Sequence, residues 1–445
     1  MNIGKKGVSI LLAVLIVLGW GACVLKIGAE SDPEETARTG SYRSSITLAE
    51  DYMKRGLYQK AAEEYENAVS LKDKEADWEA LLKARKSRYE EEEDSLDDYL
   101  SSAKKAARSY RKNVAFCTTA AELSVQADDY SGAYRILEQA KQAGVEDKKV
   151  DQLYTQVKYS YEILSTEYNT VRSACNGYYS VELGGHWGVL TTSGRKVVKE
   201  QYTFLGPMNQ DGIFVCAVNG AGALDDMDGV VQGKLKFVPQ DAGVYGEELV
   251  PILAQNQWSY YNLLGDKQFG EYQSAGSFQD GAAAVQTAKG WTLIDAEGKN
   301  ASDTVYQEIR VNKDGSYKVD DVMLAKKEGS YHLFDKKENQ IGDFACDDVD
   351  VMTQDGIFAF QKNGKWGFAD QEGNEIIKAH YEKAKSFSNG LAAVCSNGKW
   401  GFINQQDELV IPCDFVDADY FADTGCCMVQ TKASAWQLIQ LRIWP

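Results

Sequence analysis

Histidine is almost missing from this chain: three in 445 residues, at His186, His332 and His380. So few, set so far apart, leave little for a His-based metal centre or an acid–base pair, and the three are expected in turns and strand ends of different units. The phosphate-cradling GxxxxGK[ST] loop, the GxSxG elbow, HExxH and a Rossmann glycine triplet are absent as well. No catalytic residue, cofactor or metal ligand is therefore assigned. Basic residues are in deficit, 48 Lys and Arg against 66 Asp and Glu for a net charge of −18, and no basic stretch follows residue 26. That excludes the concentrated positive face of a nucleic-acid binder. The nine cysteines show no CxxC spacing, so neither a zinc site nor a disulfide framework is expected, and Cys216 and Cys395 read as small apolar strand residues.

Long apolar runs are also rare, with one exception. Lys5 and Lys6 precede Val8 to Leu25, eighteen residues without a charge, and Lys26 and the acidic ESDPEE follow. At about 1.5 Å per residue this segment is about 27 Å long, close to the bilayer core. Residues 8–27 are expected to be a transmembrane signal anchor, with residues 1–7 cytoplasmic and the bulk of the chain extracytoplasmic by the positive-inside tendency. A cleaved signal peptide, lipid modification at Cys23 after Gly19-Trp20-Gly21-Ala22, and a buried helix are the alternatives.

A polar linker, 28–44, leads to residues 45–175, which contain no proline and carry apolar residues at spacings of three and four, the period of helices. LAEDYMKRGLYQKAAEEYENAV sets Leu48, Ala49, Tyr52, Gly56, Tyr58, Ala61, Tyr65 and Ala68 at positions that resemble a tetratricopeptide (TPR) unit. A weaker copy has Tyr130, Ala133, Leu137 and Ala140. The 72 residues from Tyr58 to Tyr130 leave space for a degenerate third unit around Tyr99 to Ala106. Residues 150–175 are expected to form a closing helix.

From residue 176 the composition turns to glycine at short intervals between runs of Val, Phe, Tyr, Trp and Ile, which is β-rich sequence. The word Gly-Lys-Trp-Gly-Phe occurs at Gly364 and again at Gly398. Around it lie anchors at Trp187, Gly222, Trp258, Trp291, Tyr331, Trp366, Trp400 and Trp436, separated by 33 to 40 residues. Ten residues before the anchor stand Gly177, Gly212, Gly281, Gly356 and Gly390, each after Asp or Asn; seven after it stand Gly194, Gly229, Gly265, Gly298, Gly373 and the substitute Asp407. Both are tight-turn chemistry. Each unit reads as turn, strand, hairpin turn, Trp strand, turn and short closing strands. These residues resemble the bacterial WG repeat over about 177–445. The eight anchors, with a strand before the first Trp and the last Trp strand near residue 445, are expected to give eight hairpins and seven linking segments in a propeller-like ring or an open β-solenoid; Trp400 and Phe402, alternating onto one face of their strand, would stack into an aromatic ladder, and Gly401, pointing the other way, leaves room for a close neighbour.

The fold class expected is thus multidomain, α then all-β: transmembrane helix, TPR-like helical hairpins over 45–175, and a WG β-repeat domain over 176–445. Asp347, Asp348, Asp350 and Asp355 form an acidic cluster open to a calcium or a solvated-edge reading. The acidic run from Glu90 reads as a solvated helix face. The function expected is a membrane-anchored, non-enzymatic scaffold with a protein partner. A cell-wall glycan or peptidoglycan module, whose aromatics would stack on sugars, and a cell-wall hydrolase are the alternatives.

Overall fold

The computed structural model describes residues 33–92, 95–164 and 166–444. The chain divides into two compact units at Val157 and Lys158. The expected membrane segment 8–27, its flank 1–7 and Cys23 lie outside the described residues. Among those described, no helix is long and apolar enough to cross a membrane.

The described residues of the first unit form seven helices: α1 (Pro33–Lys54), α2 (Tyr58–Leu71), α3 (Glu75–Glu91), α4 (Leu96–Ser109), α5 (Val114–Gln126), α6 (Tyr130–Gln142) and α7 (Lys148–Lys158). Successive helices from α1 to α6 pack on one another through small residues, with Ala49, Ala61, Ala68, Ala103, Ala106, Ala120, Ala133 and Ala140 fully buried. The expected linker 28–44 is corrected here, because residues 33–44 are already helical. Proline opens that helix at a position whose N–H has no partner within a helix, and Glu35 suits the positive end of its dipole. Leu48, one of the TPR-pattern positions, is 42% exposed.

In the second unit every neighbouring strand pair is antiparallel, and the strands fall into eight small sheets. Blade 1 spans residues 170–202, blade 2 204–234, blade 3 241–272, blade 4 274–294, blade 5 308–334, blade 6 348–381, blade 7 383–415 and blade 8 417–441. In blades 4 and 5 the fourth strand shrinks to isolated bridges, Trp291 with Tyr306 and Tyr331 with Cys346. Blade 8 takes its fourth strand from the start of the unit: Tyr161–Ile163 pairs with Ile439 to Leu441, and Tyr168 bridges Trp436. Blade 8 also packs on blade 1, with Met428 and Leu438 in one buried cluster with Tyr179, Val181 and Leu190. The ring is closed, an eight-bladed β-propeller, which decides against the open solenoid.

Closure corrects a second expectation. The helix foreseen over 150–175 ends at Lys158, and Tyr161–Ile163 and Thr170–Cys175 are strands. Tyr, Ile, Thr and Val dominate this stretch, and the free edge of blade 8 offers them a ladder that a helix extension would lack.

The repeated word owes its glycine to a bulge. In blade 7 the outer strand puts four steps, Ile411 to Phe415, against the two steps from Phe402 to Trp400. A Cβ on Gly401 would lie 2.5 Å from the Ile411 carbonyl oxygen, and the same clash meets Gly188 (Val198 O, 2.7 Å) and Gly367 (Ile377 O, 2.5 Å). Blade 3 has Ser259 in this place and carries its glycine on the opposite strand, where a Cβ on Gly270 would come within 2.4 Å of the Ser259 Cα. The neighbour that needs the room is the blade's own outer strand.

Adjacent blades bury apolar clusters between them. The expected aromatic ladder appears as separate pairs between blades: Phe402 with Phe421 and Phe368 with Phe387, centroids 4.8 Å apart in each case, and Tyr260 with Phe278 at 5.0 Å.

Candidate functional site

The anchors spread around the ring, one to a blade, each opposite a residue of the outer strand. Trp187 stands across from Tyr202, Trp258 from Tyr272, Trp291 from Tyr306, Trp366 from Tyr381, Trp400 from Phe415 and Trp436 from Tyr168, while Tyr331 faces Cys346. Trp291, Tyr331 and Trp400 are buried and Trp187, Trp258, Trp366 and Trp436 half-buried, so they form no common platform. In the helical unit Ala61, Tyr65, Ala68 and Ala133 are buried, Tyr52, Tyr58 and Tyr130 half-buried, and Gly56 turns the chain at φ +70.

The acidic cluster is dispersed among protein donors. Asp347 accepts from the Asn363 N–H, Asp348 pairs with Arg310 at 2.7 Å, Asp350 accepts from the Ser386 N–H and the Tyr420 hydroxyl, and Asp355 accepts from the Asn389 and Gly390 N–H groups. Among the described residues, no group of three or more His, Cys, Asp or Glu is placed to hold a metal. His186, His332 and His380 sit in blades 1, 5 and 6, each with Nδ1 against a backbone carbonyl.

What the ring does bring together is the set of turns between each blade's first and second strands. Those turns, with Thr192, line an open cavity of about 650 Å³ that receives residues from every blade except blade 3, which places it on the ring axis. The turns share a layout. A residue followed by Asp or Asn and Gly recurs as Gln210-Asp211-Gly212, Gln279-Asp280-Gly281 and Gln354-Asp355-Gly356, and blade 8 has Asp423-Thr424-Gly425. These are the even-numbered blades. At the same position the odd blades carry the short side chains Cys175, Gly246, Val319 and Ser388.

Long polar side chains thus alternate with short ones around the mouth. The carboxamides of Gln210, Gln279 and Gln354 and the carboxylate of Asp423 are exposed and make no hydrogen bond among the described residues. Two of the aspartates after the glutamines, Asp280 and Asp355, have structural duties instead. Asp355 takes two N–H groups of the next blade's turn at 2.8 Å each, Asp280 pairs with Lys318 at 3.1 Å, and blade 3's Glu247 takes the Gly281 N–H. Each such contact joins one blade to the next.

Beneath the mouth the inner strands form a charged collar. Arg310 contacts Asp348 and the Tyr331 hydroxyl, Arg172 reaches Asp241 at 3.1 Å, and Asp419 accepts from Ser173. Tyr420 donates to Asp350 at 2.6 Å, and the Lys313 and Lys385 ammonium groups lie 5.5 and 5.6 Å from its ring. Burial, with Asp350 second, holds the Tyr420 hydroxyl well above the usual tyrosine range. Burial, aided by Asp314, pushes the Cys175 thiol up to about 12, which keeps it protonated and weakly nucleophilic. The mouth offers hydrogen-bond donors and acceptors on a rigid frame.

The Gln-Asp-Gly triplet was the available signal for this site. Its three copies stand in the sequence at 210, 279 and 354, hidden among the turn glycines they precede.

No curated protein matches the chain. Among solved structures, the chain aligns with Hsv2p of Kluyveromyces lactis at 9% identity and a TM-score of 0.37, covering 56% of this chain and 94% of that one. It aligns with the WD40 domain of SCAP from fission yeast at 8% and 0.40, covering 63% and 97%. At such scores the propeller assignment rests on the strand pairing above. In sequence, residues 366–400 and 400–432, the Trp strands of blades 6 and 7 with the segments that follow them, match the family model described as WG containing repeat.

Proposed function

We propose that this chain is a non-enzymatic interaction scaffold, held at the cytoplasmic membrane by residues 8–27, with its amino terminus cytoplasmic and both repeat units outside. The observation that carries the reading is the convergence of turns from seven blades on one open mouth whose outermost side chains have no work inside the fold. Closed repeat rings present broad rigid surfaces without needing reactive groups. The helical unit, read as TPR-like, offers a second surface suited to an extended or helical protein segment. Tryptophans spread one to a blade argue against the aromatic platform that the glycan alternative requires.

Photo-crosslinking tests this in native membranes, with a photoreactive residue at exposed Lys83 of the helical unit or at Gln354 of the mouth. A discrete protein adduct from either position, formed in the presence of chelator, supports the scaffold. Turnover of cell-wall fragments without any adduct would overturn it.

A further inference from the structure

We propose that the axial mouth is a binding site for a small, neutral, hydroxyl-rich ligand of the sugar class. The inference goes beyond the scaffold reading and does not depend on a protein partner, so either can fail alone.

Four features carry it. The cavity, about 650 Å³, lies within the roughly 300–1,000 Å³ usual for small-molecule sites. Its position-equivalent side chains from alternate blades, Gln210, Gln279, Gln354 and Asp423, make no hydrogen bond among the described residues. The charged lining residues are Lys313 against Asp314, Asp355 and Asp423, and the donors to Asp314 and Asp355, Ser316 and the neighbouring turn's N–H groups, leave those carboxylates charged. This acidic excess disfavours a phosphate, and the three uncharged carboxamides among the four free groups favour a neutral hydroxylated ligand over a polyamine. Finally, a carboxamide presents a donor and an acceptor side by side, as adjacent sugar hydroxyls do, so the two surfaces are complementary. Three such groups and the Asp423 carboxylate, set around an axis, suit a compact ligand with hydroxyls directed several ways. An extended peptide would present its polar groups along a line.

The glutamine side chains are exposed and make no hydrogen bond among the described residues, so replacing them leaves the fold intact and isolates binding. Full-length chain in a sugar-free zwitterionic detergent is titrated calorimetrically with neutral hexoses, N-acetylhexosamines and their trimers, and separately with spermidine. At least one sugar is expected to bind. Gln279→Ala and Gln354→Ala should each weaken that binding roughly 2- to 10-fold, the effect of one lost neutral hydrogen bond. Gln257→Ala, exposed on a hairpin away from the mouth, should leave binding unchanged, and denaturation midpoints should match throughout. Absence of binding across the sugar panel overturns the proposal. So does sugar binding that the mouth variants leave intact, or binding of spermidine alone.

Discussion

Tyr168 stands opposite Trp436, the place that Tyr202 takes opposite Trp187 and Phe415 opposite Trp400. In blades 1, 4, 6 and 7 the aromatic partner follows its Trp by 15 residues, and in blade 3 by 14. Trp436 instead takes as its partner a residue that precedes it by 268. One blade is thus assembled from both ends of the unit, and its seam closes the ring.

The seam should therefore be a weak point on which the whole unit depends. Tyr168 is 4% exposed, and Tyr168→Ala should lower stability by about 3 kcal/mol. Leu164→Pro, which deletes the 2.8 Å bond from the Leu164 N–H to the Leu438 carbonyl, should lower it as well. Chemical denaturation of the full chain reads both. A propeller transition that stays in place for both variants would show that the first strand is dispensable.

Two glycines of one word should respond differently. Gly401→Ala forces a Cβ against the Ile411 carbonyl and should cost about 1–3 kcal/mol or more. Gly398 sits in open space at φ +72, so Gly398→Asn should be nearly neutral, because Asn tolerates that backbone. Equal effects at the two positions would refute the bulge explanation.

Among the anchors, burial should rank the losses. Trp400, 9% exposed, should lose about 3–5 kcal/mol on conversion to Ala, and half-buried Trp366 should lose less. Denaturation midpoints check the order. No shift for either would return the tryptophans to a ligand-binding role.

Alkaline pH should weaken the propeller. Burial, with Asp225 second, pushes the Tyr202 hydroxyl up to about 12 from an unfolded value near 10. Below about 10 both states hold the proton and its contribution is complete. Between about 10 and 12 the unfolded chain ionises first, so stability falls with pH. Tyr202→Phe also removes the donor to Asp225, so this variant should be less stable at pH 8 and show a shallower decline above pH 10. An unchanged slope would mean the hydroxyl titrates normally.

Much of this fold was legible because repetition multiplies weak signals. The period, the eight anchors and the turn glycines stand in the sequence, and the turns adopt the conformation their residues imply: Asn397 and Gly398 at φ 52 and 72, Asp407 at 62. Glu338, seven residues after Tyr331, takes the same left-handed turn at φ 62 without a glycine to announce it. The closing strand was illegible, since three residues, Tyr161 to Ile163, become a strand only when a partner nearly the whole unit away supplies the other edge. The helix start at Pro33 was available from proline and acidic residues together, but the polar composition there hid it. The mouth is a property of the ring: nothing local in Gln210, Gln279 or Gln354 says that they meet.

The most direct test of the scaffold account is partner capture by the full-length chain. With the crosslinked partner identified, its binding is measured by titration in chelator, first for the intact chain and then after conversion of each candidate carboxylate (Asp347, Asp348, Asp350, Asp355) and each histidine to Ala, one at a time. The account predicts that binding persists in chelator and survives every single change that leaves the propeller folded, with no turnover of cell-wall fragments in parallel assays. Loss of a measurable turnover through chelation, or through one Asp→Ala change in a folded chain, would contradict it and make the protein a hydrolase.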